Sequence, residues 1–240
     1  MREPGSEREF LESYNQEQFK KMSVATDLLI LTIVDDQLVV LMTKRSEYPF
    51  KDRWALQGVF VGINETLEEA AVRGLKEEVN LENIYLEQLY TFGQVDRDPR
   101  LRVISVTYMA LTPPENLDFK PGSRVSEVKL FPVDDIIRGE VETAFDHREI
   151  IRYAKWRLKN KVEYTDIVFH FFPDMFTLPK LQKAYEILAE KKVYKTNFRK
   201  KFMPMVEDTG QEDRSGGKRP SRLYRYRPDS KEICNHTSEL

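Results

Sequence analysis

Within the stretch from Trp54 to Leu81, WALQGVFVGINETLEEAAVRGLKEEVNL, four charged residues stand at a spacing that chemistry could use: Glu65, Arg73, Glu77 and Glu78. Thr66 and Glu69 have the spacing of a capping box, in which hydroxyl and carboxylate each accept from an orphan backbone N–H. Leu67, Ala71 and Leu75 then recur four apart, as on the buried stripe of a helix. Positions 74, 77 and 78 share one face of that helix. Divalent cations take oxygen ligands, so a strand, a loop and a helix ending in paired carboxylates suit a metal-bound diphosphate. The strand ahead of the helix is expected over Trp54 to Val61, with a tight glycine turn at Gly58.

The elements that must hold this stretch follow from the flanking patterns. Val24 to Val34 and Leu38 to Lys44 are β-prone apolar runs around Asp35-Asp36-Gln37, a hairpin signal. Lys44-Arg45 closes the second strand. Ile84 to Val95 and Val103 to Leu111 read as two more strands, the latter with alternating character. Between them lies the charged loop DRDPR. It is either an ordinary turn stiffened by Pro99 or a ligand loop, in which Arg97 or Arg102 pairs with phosphate in bidentate fashion. After a connection over 113–126 come a short strand, Val128 to Pro132, and a helical turn, Asp134 to Ile137. Ala144 to Lys159 reads as an amphipathic helix with Ile150, Ile151, Ala154 and Leu158 inward and Asp146 at the N-cap. His147 and His170 read as structural histidines.

Composition narrows the class. Of 240 residues 40% are hydrophobic and 32% charged, which implies a soluble globular chain with a highly charged surface. A single cysteine, Cys234, excludes an internal disulfide and a Cys/His zinc site. No signal-peptide core or membrane span is visible, and a cytoplasmic location is expected. The net charge of −2 is uneven: Leu178 to Pro228 holds fourteen basic and six acidic residues, a net +8 against −10 for the rest. A basic segment on an acidic body points to a polyanion.

The basic segment has its own architecture. The aromatic run Tyr164 to Pro173 is expected to open a second domain. Thr177 should cap a helix over Leu178 to Glu190 with Pro179 in its first turn. Thr196 should cap another, NFRKKFMPM, with Phe198, Phe202 and Met205 facing the core. A polar, glycine-rich loop over Asp208 to Lys218 and a strand, Ser221 to Tyr226, complete a winged helix-turn-helix. Its recognition helix would offer Lys195, Thr196, Asn197, Arg199, Lys200 and Lys201 to DNA. Asn reads adenine and Arg or Lys reads guanine in the major groove. Arg214, Lys218, Arg219 and Arg222 would line the wing against phosphate. The bland alternative is a basic α+β appendage that mediates dimerisation or only solubility.

The stretch from Trp54 resembles a Nudix box: G, five residues, E, seven residues, R-E-U-x-E-E-x-G-U, with U aliphatic. Glu65, Arg73, Leu75, Glu77, Glu78 and Leu81 match, while Val59 and Asn80 replace the two glycines. Gly74 replaces the first Glu of R-E-U-x-E-E. In such boxes the carboxylates hold cations that neutralise the diphosphate and activate water. Glycine inside a helix costs about 1 kcal/mol relative to alanine, so helix stability does not explain Gly74. Either the scaffold no longer hydrolyses anything, or an active enzyme draws its missing carboxylate from another loop.

With FTLPKLQKAYEIL, NFRKKF and LYRY added, the chain from Val24 to Arg227 resembles the Nudix-related transcriptional regulators of the NrtR type. The resemblance implies an α+β chain: a Nudix α/β/α sandwich with a mixed sheet, then a C-terminal winged helix. The divisions are an arm over 1–23, an effector domain over 24–160, a winged helix over 161–228 and a disordered tail over 229–240. It implies a bacterial homodimer on palindromic operator DNA, sensing ADP-ribose or another nucleotide or sugar-derived effector through Arg45, Gln57, Asp96, Arg97 and Arg102. No cofactor is required and no catalytic residue expected. Glu77 and Glu78 remain the degenerate candidates, and candidate ligands of Mg²⁺ or Mn²⁺ if the chain hydrolyses. The rival is a metal-dependent hydrolase of ADP-ribose or a related nucleoside diphosphate. A third option is a nucleotide-binding adaptor that never touches DNA.

Overall fold

The computed structural model describes residues 21–82, 84–117, 125–214 and 220–228, and the side chains of Glu78, Val125 and Ser126 lie outside that description. The expected arm therefore falls almost wholly outside the described residues, and the expected tail wholly so. The long apolar run SVATDLLILTIV forms β1 (Ser23–Val34), and QLVVLMTKR forms β2 (Gln37–Arg45). The turn between them has only two residues, Asp35 and Asp36, with φ of 47° and 62°. Two successive left-handed residues are what a two-residue hairpin with right-handed strand twist requires, and Asp tolerates them.

The strand expected over Trp54 to Val61 is two strands. β3 (Trp54–Ala55) pairs with β2, and β4 (Gln57–Phe60) crosses to pair with β1. Gly58 is no turn: it lies in β4 opposite Asp27, and a Cβ there would meet Asp27 Oδ1 at 2.6 Å. The capping box starts α1 (Leu67–Val79) as expected, and left-handed Asn80 ends it. β5 (Tyr85–Phe92) and β6 (Val103–Leu111) form an antiparallel pair. β6 does not alternate; it runs parallel to β1 and is buried almost throughout, because both its faces are covered. β7 (Val125–Pro132) returns to β2. Then come α2 (Val133–Arg138) and α3 (His147–Lys161).

The resulting mixed sheet has the order β3-β2-β1-β6-β5, with β4 also on β1 and β7 on β2. The period-two alternation of β1 divides its core. Leu28 and Ile30 face α1 through Ala71, Leu75 and Val79. Leu29 and Leu31 face α2 and α3 through Ile136, Ile150, Ile151, Ala154 and Leu158. This is the α/β/α sandwich.

The aromatic run after α3 becomes a 3-10 helix, Ile167–Phe171. It leads to β8 (Met175–Thr177), α4 (Leu178–Ala189), α5 (Lys195–Phe202), β9 (Val206–Asp213) and β10 (Ser221–Tyr226). Thr177 caps α4 by accepting from Lys180 N–H, with Pro179 in the first turn. Thr196 caps nothing: it sits inside α5, whose N-cap position is Tyr194 without a side-chain bond. Asp208 to Asp213 belong to β9 rather than to a loop. The second sheet has the order β8-β10-β9 and makes the wing. Among the described residues, no helix is long and apolar enough to cross a membrane.

The α3 side of the first sheet and the interior of the C-terminal part share one apolar cluster. It runs from Leu29 and Met109 through Val162 and Phe169 to Leu181, Tyr185 and Phe202. A shared core should melt as one unit. Phe202 is fully buried, so Phe202→Ala should lower stability by about 3–5 kcal/mol. Urea denaturation followed by fluorescence and circular dichroism checks both; two separate transitions in the parent would contradict the shared core.

Candidate effector cleft and nucleic-acid interface

The loop before α1 is built by one guanidinium. Arg73 donates to Glu65 through Nε (3.0 Å) and Nη2 (2.6 Å), to the Phe60 carbonyl (3.1 Å) and to Glu77 Oε2 (3.2 Å). Glu65 Oε1 also accepts from Gly62 N–H at 2.6 Å. These bonds, Arg73 first, hold the Glu65 carboxyl down to about 2. Glu68 accepts from the Tyr108 hydroxyl, and Glu69 from Thr66 N–H.

The position that breaks the Nudix pattern has a packing role. Gly74 is buried, and a Cβ there would meet Leu28 Cδ1 at 2.8 Å and Val59 Cγ2 at 3.2 Å. Position 74 thus serves close helix–sheet packing, which is a physical reason for its glycine. Glu77 is tied to Arg73, and the Glu78 side chain lies outside the described residues. Among the described residues no group of three or more His, Cys, Asp or Glu could hold a metal ion.

A small cleft of about 100 Å³ opens at the other face of the β1–β4 pair, lined by Asp27, Arg45, Phe60, Arg97, Arg100, Phe145 and His147 among others. Two guanidiniums converge on one ring: Arg45 lies 5.0 Å and Arg100 6.0 Å from the Phe145 centroid. Arg45 donates to the carbonyls of Pro49 (2.8 Å) and Glu47 (3.4 Å). Burial and then Arg100 push its pKa below the ordinary arginine value. Arg100 forms a fork on Asp98, at 3.0 and 2.8 Å. Phe145 has φ of 51°, an uncommon conformation for an aromatic residue that persists only where its surroundings enforce it.

Beneath the cleft, Arg97 is buried. Its Nη2 donates to Asp27 Oδ2 (2.8 Å) and Asp146 Oδ1 (2.8 Å), and its Nε to Asp146 Oδ2 (3.0 Å). Burial works to lower its pKa, but Asp146 and Asp27 hold it above the ordinary value. Asp27 accepts also from Ser105 Oγ at 2.6 Å. Arg97 is therefore a strut between Asp27 and Asp146, with its side chain also in the cleft lining. For the same reason Asp146 gives no side-chain cap to α3. Burial pushes the His147 pKa below its ordinary value, and its Nδ1 accepts from Leu56 N–H at 2.9 Å.

The DNA candidates sort by orientation. Lys195, Thr196, Asn197, Arg199 and Lys200 are exposed on α5, while Phe198 and Phe202 anchor it. Lys201 turns the other way, donating to the carbonyls of Val162 (3.2 Å) and Glu163 (2.8 Å) and to the Tyr185 hydroxyl (3.4 Å). Arg222 sits on the wing, bonded to Asp208 at 2.8 Å, and Arg214 lies 3.5 Å from Glu212. Lys218 and Arg219 lie outside the described residues.

Residues 24–154 match the NUDIX domain family, and residues 168–226 match the NrtR DNA-binding winged helix domain. The chain is 33% identical to an ADPR responsive transcriptional repressor of Acinetobacter baylyi, over 92% of this chain and 88% of that one. The chain belongs to the NrtR family. Shewanella oneidensis NrtR complexed with a 27mer DNA is similar at a TM-score of 0.76 and 34% identity, over 86% of this chain and 94% of that one. The NUDIX domain of the same Shewanella protein, complexed with ADP ribose, is similar at 0.57 and 35%, over 64% and 99%.

For this NrtR-family chain, the residues expected to bind an effector scatter. Arg45 lines the cleft. Gln57 does not: it pairs with Leu28, on the face that α1 covers, where its buried amide makes no hydrogen bond among the described residues. Asp96 is exposed outside the cleft. Arg102 straps the loop through the carbonyls of Gly93 (2.8 Å) and Gln94 (2.7 Å). The reading missed Arg100 and Phe145, which only the fold brings beside Arg45. The Arg73–Glu65 pair carries a pH signature. Glu65's carboxyl, at about 2 in the fold and about 4.5 in the unfolded chain, adds stability above pH 4.5, lost as pH falls toward 2. The stability gap between the parent and Glu65→Gln should therefore close over that range in denaturant titrations; a gap constant with pH would contradict it.

Proposed function

We propose that this chain is a cytoplasmic transcriptional repressor that binds palindromic operator DNA as a homodimer and responds to ADP-ribose or a related nucleotide. The exposure pattern of α5 carries the DNA reading. Its basic and amide side chains lie open to solvent on a helix pinned by two buried phenylalanines. A short helix of this chemistry enters the major groove, where Asn197 and Arg199 can read bases and Lys195 and Lys200 meet phosphate. The likeness to the Shewanella complex with DNA and to the Acinetobacter repressor supports it.

The effector reading rests on the cleft and on the likeness to the NUDIX domain complexed with ADP ribose. Arg45 and Arg100 repel one another across Phe145. A diphosphate between them would relieve that repulsion with charge-assisted bonds, and the Phe145 ring offers a face to a base or ribose. Effector binding then shifts the population toward an arrangement of the two recognition helices that mismatches the half-sites.

Anisotropy with a duplex from upstream of the chain's own operon tests the reading. Affinity should fall steeply with salt and weaken on adding ADP-ribose. Asn197→Ala should cost about 1–3 kcal/mol and relax base preference. In calorimetry, Arg45→Met should weaken ADP-ribose binding by about tenfold to a hundredfold. No DNA binding at low salt would sink the proposal. The second reading, a hydrolase using Mg²⁺ or Mn²⁺ on Glu77 and Glu78, is favoured by the intact Glu65–Arg73 loop and by 36% identity over 126 residues to an ADP-ribose pyrophosphatase of Methanocaldococcus jannaschii. Incubation with ADP-ribose and either ion should give no turnover; turnover lost in Glu78→Gln would establish the hydrolase instead.

A further inference from the structure

Helix α3 is held at both ends by polar contacts. Its N-terminal end lies at the cleft, where Phe145 flanks the two arginines, Asp146 grips Arg97 and His147 receives the Leu56 N–H. Its middle is fixed in the shared core by Ile150, Ile151, Ala154 and Leu158. At its C-terminal end, the carbonyls of Val162 and Glu163 accept from Lys201 Nζ. An ammonium has three donors, and the third goes to the Tyr185 hydroxyl. That hydroxyl donates in turn to Glu163 Oε2 at 2.9 Å. The ammonium also lies 4.6 Å from the Tyr185 ring centroid.

Fifteen helical residues at about 1.5 Å each make a rod about 22 Å long. The cation at its C-terminal end complements the helix dipole. Lys155 and Lys159 also leave the rod, each 2.6 Å from Glu190, but they reach the end of α4 rather than the DNA-reading helix. Lys201 belongs to α5 itself. With all three donors engaged, it is not available to phosphate in this arrangement.

We propose that Lys201 is a positioning residue that latches α5 to the end of α3, so that α3 transmits movement at the cleft to the DNA-reading helix. This rests on the effector reading above. Coupling of two sites requires an element that both can bias, and α3 with its latch touches both. Truncating the latch should uncouple the sites while leaving each able to bind.

The test compares Lys201→Met with Lys200→Met, whose lysine is exposed. Anisotropy with the same operator duplex is measured across a salt series, with and without ADP-ribose, and ADP-ribose binding is measured separately by calorimetry. Lys200→Met should lower the salt slope by about 1. Lys201→Met should keep the parental slope and bind ADP-ribose within about twofold of the parent. The factor by which ADP-ribose weakens its DNA binding should shrink at least about fivefold. Tyr185→Phe, which keeps the ring and removes the hydroxyl, should move that factor the same way by less, and serves if Lys201→Met does not fold. A salt slope that falls in Lys201→Met as in Lys200→Met would make Lys201 a phosphate contact and overturn the proposal. So would an undiminished response to ADP-ribose. If the parent itself does not respond to ADP-ribose, the effector reading fails. The latch is then judged by the salt slope and by amide exchange over residues 195–202, which should quicken in Lys201→Met. Unchanged exchange would overturn it.

Discussion

Arg97, buried between Asp27 and Asp146, is the interaction on which the arrangement of the cleft depends. It joins three pieces of chain distant in sequence: β1, the loop between β5 and β6, and the start of α3. A buried charge pair is weak support for net stability, because desolvation cancels much of the attraction. Its specificity is another matter. Removing one partner leaves an uncompensated charge in a dry site, at a cost of about 3–5 kcal/mol, so each piece is held to one geometry. That geometry places Arg45, Arg100 and Phe145 around the cleft and sets where α3 begins.

The sheet supplies the rigid frame for this site. Because β1 is covered on both faces, its alternate side chains serve two cores, one under α1 and one under α3. The α1 side retains the shape of a diphosphate-cleaving scaffold, with its Arg73–Glu65 loop and capping box intact. The same side gives up one carboxylate position to packing at Gly74. The α3 side continues without a break into the C-terminal part, where Phe169, Tyr185 and Phe202 extend it. Tyr85 of β5, stacked on His170 with centroids 4.0 Å apart, reinforces that joint.

What was legible in the sequence was what short spacing determines. The Thr66–Glu69 box, the Asp35-Asp36 turn, the Thr177 cap and the apolar stripe of α3 depend on neighbours within a few positions, and each is present. The family motifs likewise led to both parts of the chain. The contacts that short spacing did not reveal are those whose partners are remote. Arg97 looked like a free loop cation until Asp27 and Asp146, 70 and 49 positions away, closed on it. Asp146 looked like a cap for the same reason. Lys201 has the helical spacing of an outward lysine, yet its carbonyl acceptors lie 38 and 39 positions back. Gly58 reads as a turn when the opposing Asp27 is not in view. β6 is buried without alternation because layers cover both its faces, Met109 and Leu111 in one core and Val106, Tyr108 and Ala110 in the other.

The wing has a further property. Arg222 rests on Asp208, and Arg225 forms a fork on Asp174 while facing Glu207. A polyanion approaching these arginines competes with an internal carboxylate for each of them, so contact there is partly an exchange rather than a pure addition. Shapeless polymers such as heparin would gain little from such swaps. A duplex whose groove also admits α5 gains from the rest of its surface, and built-in decoys of this kind raise discrimination at the expense of raw grip.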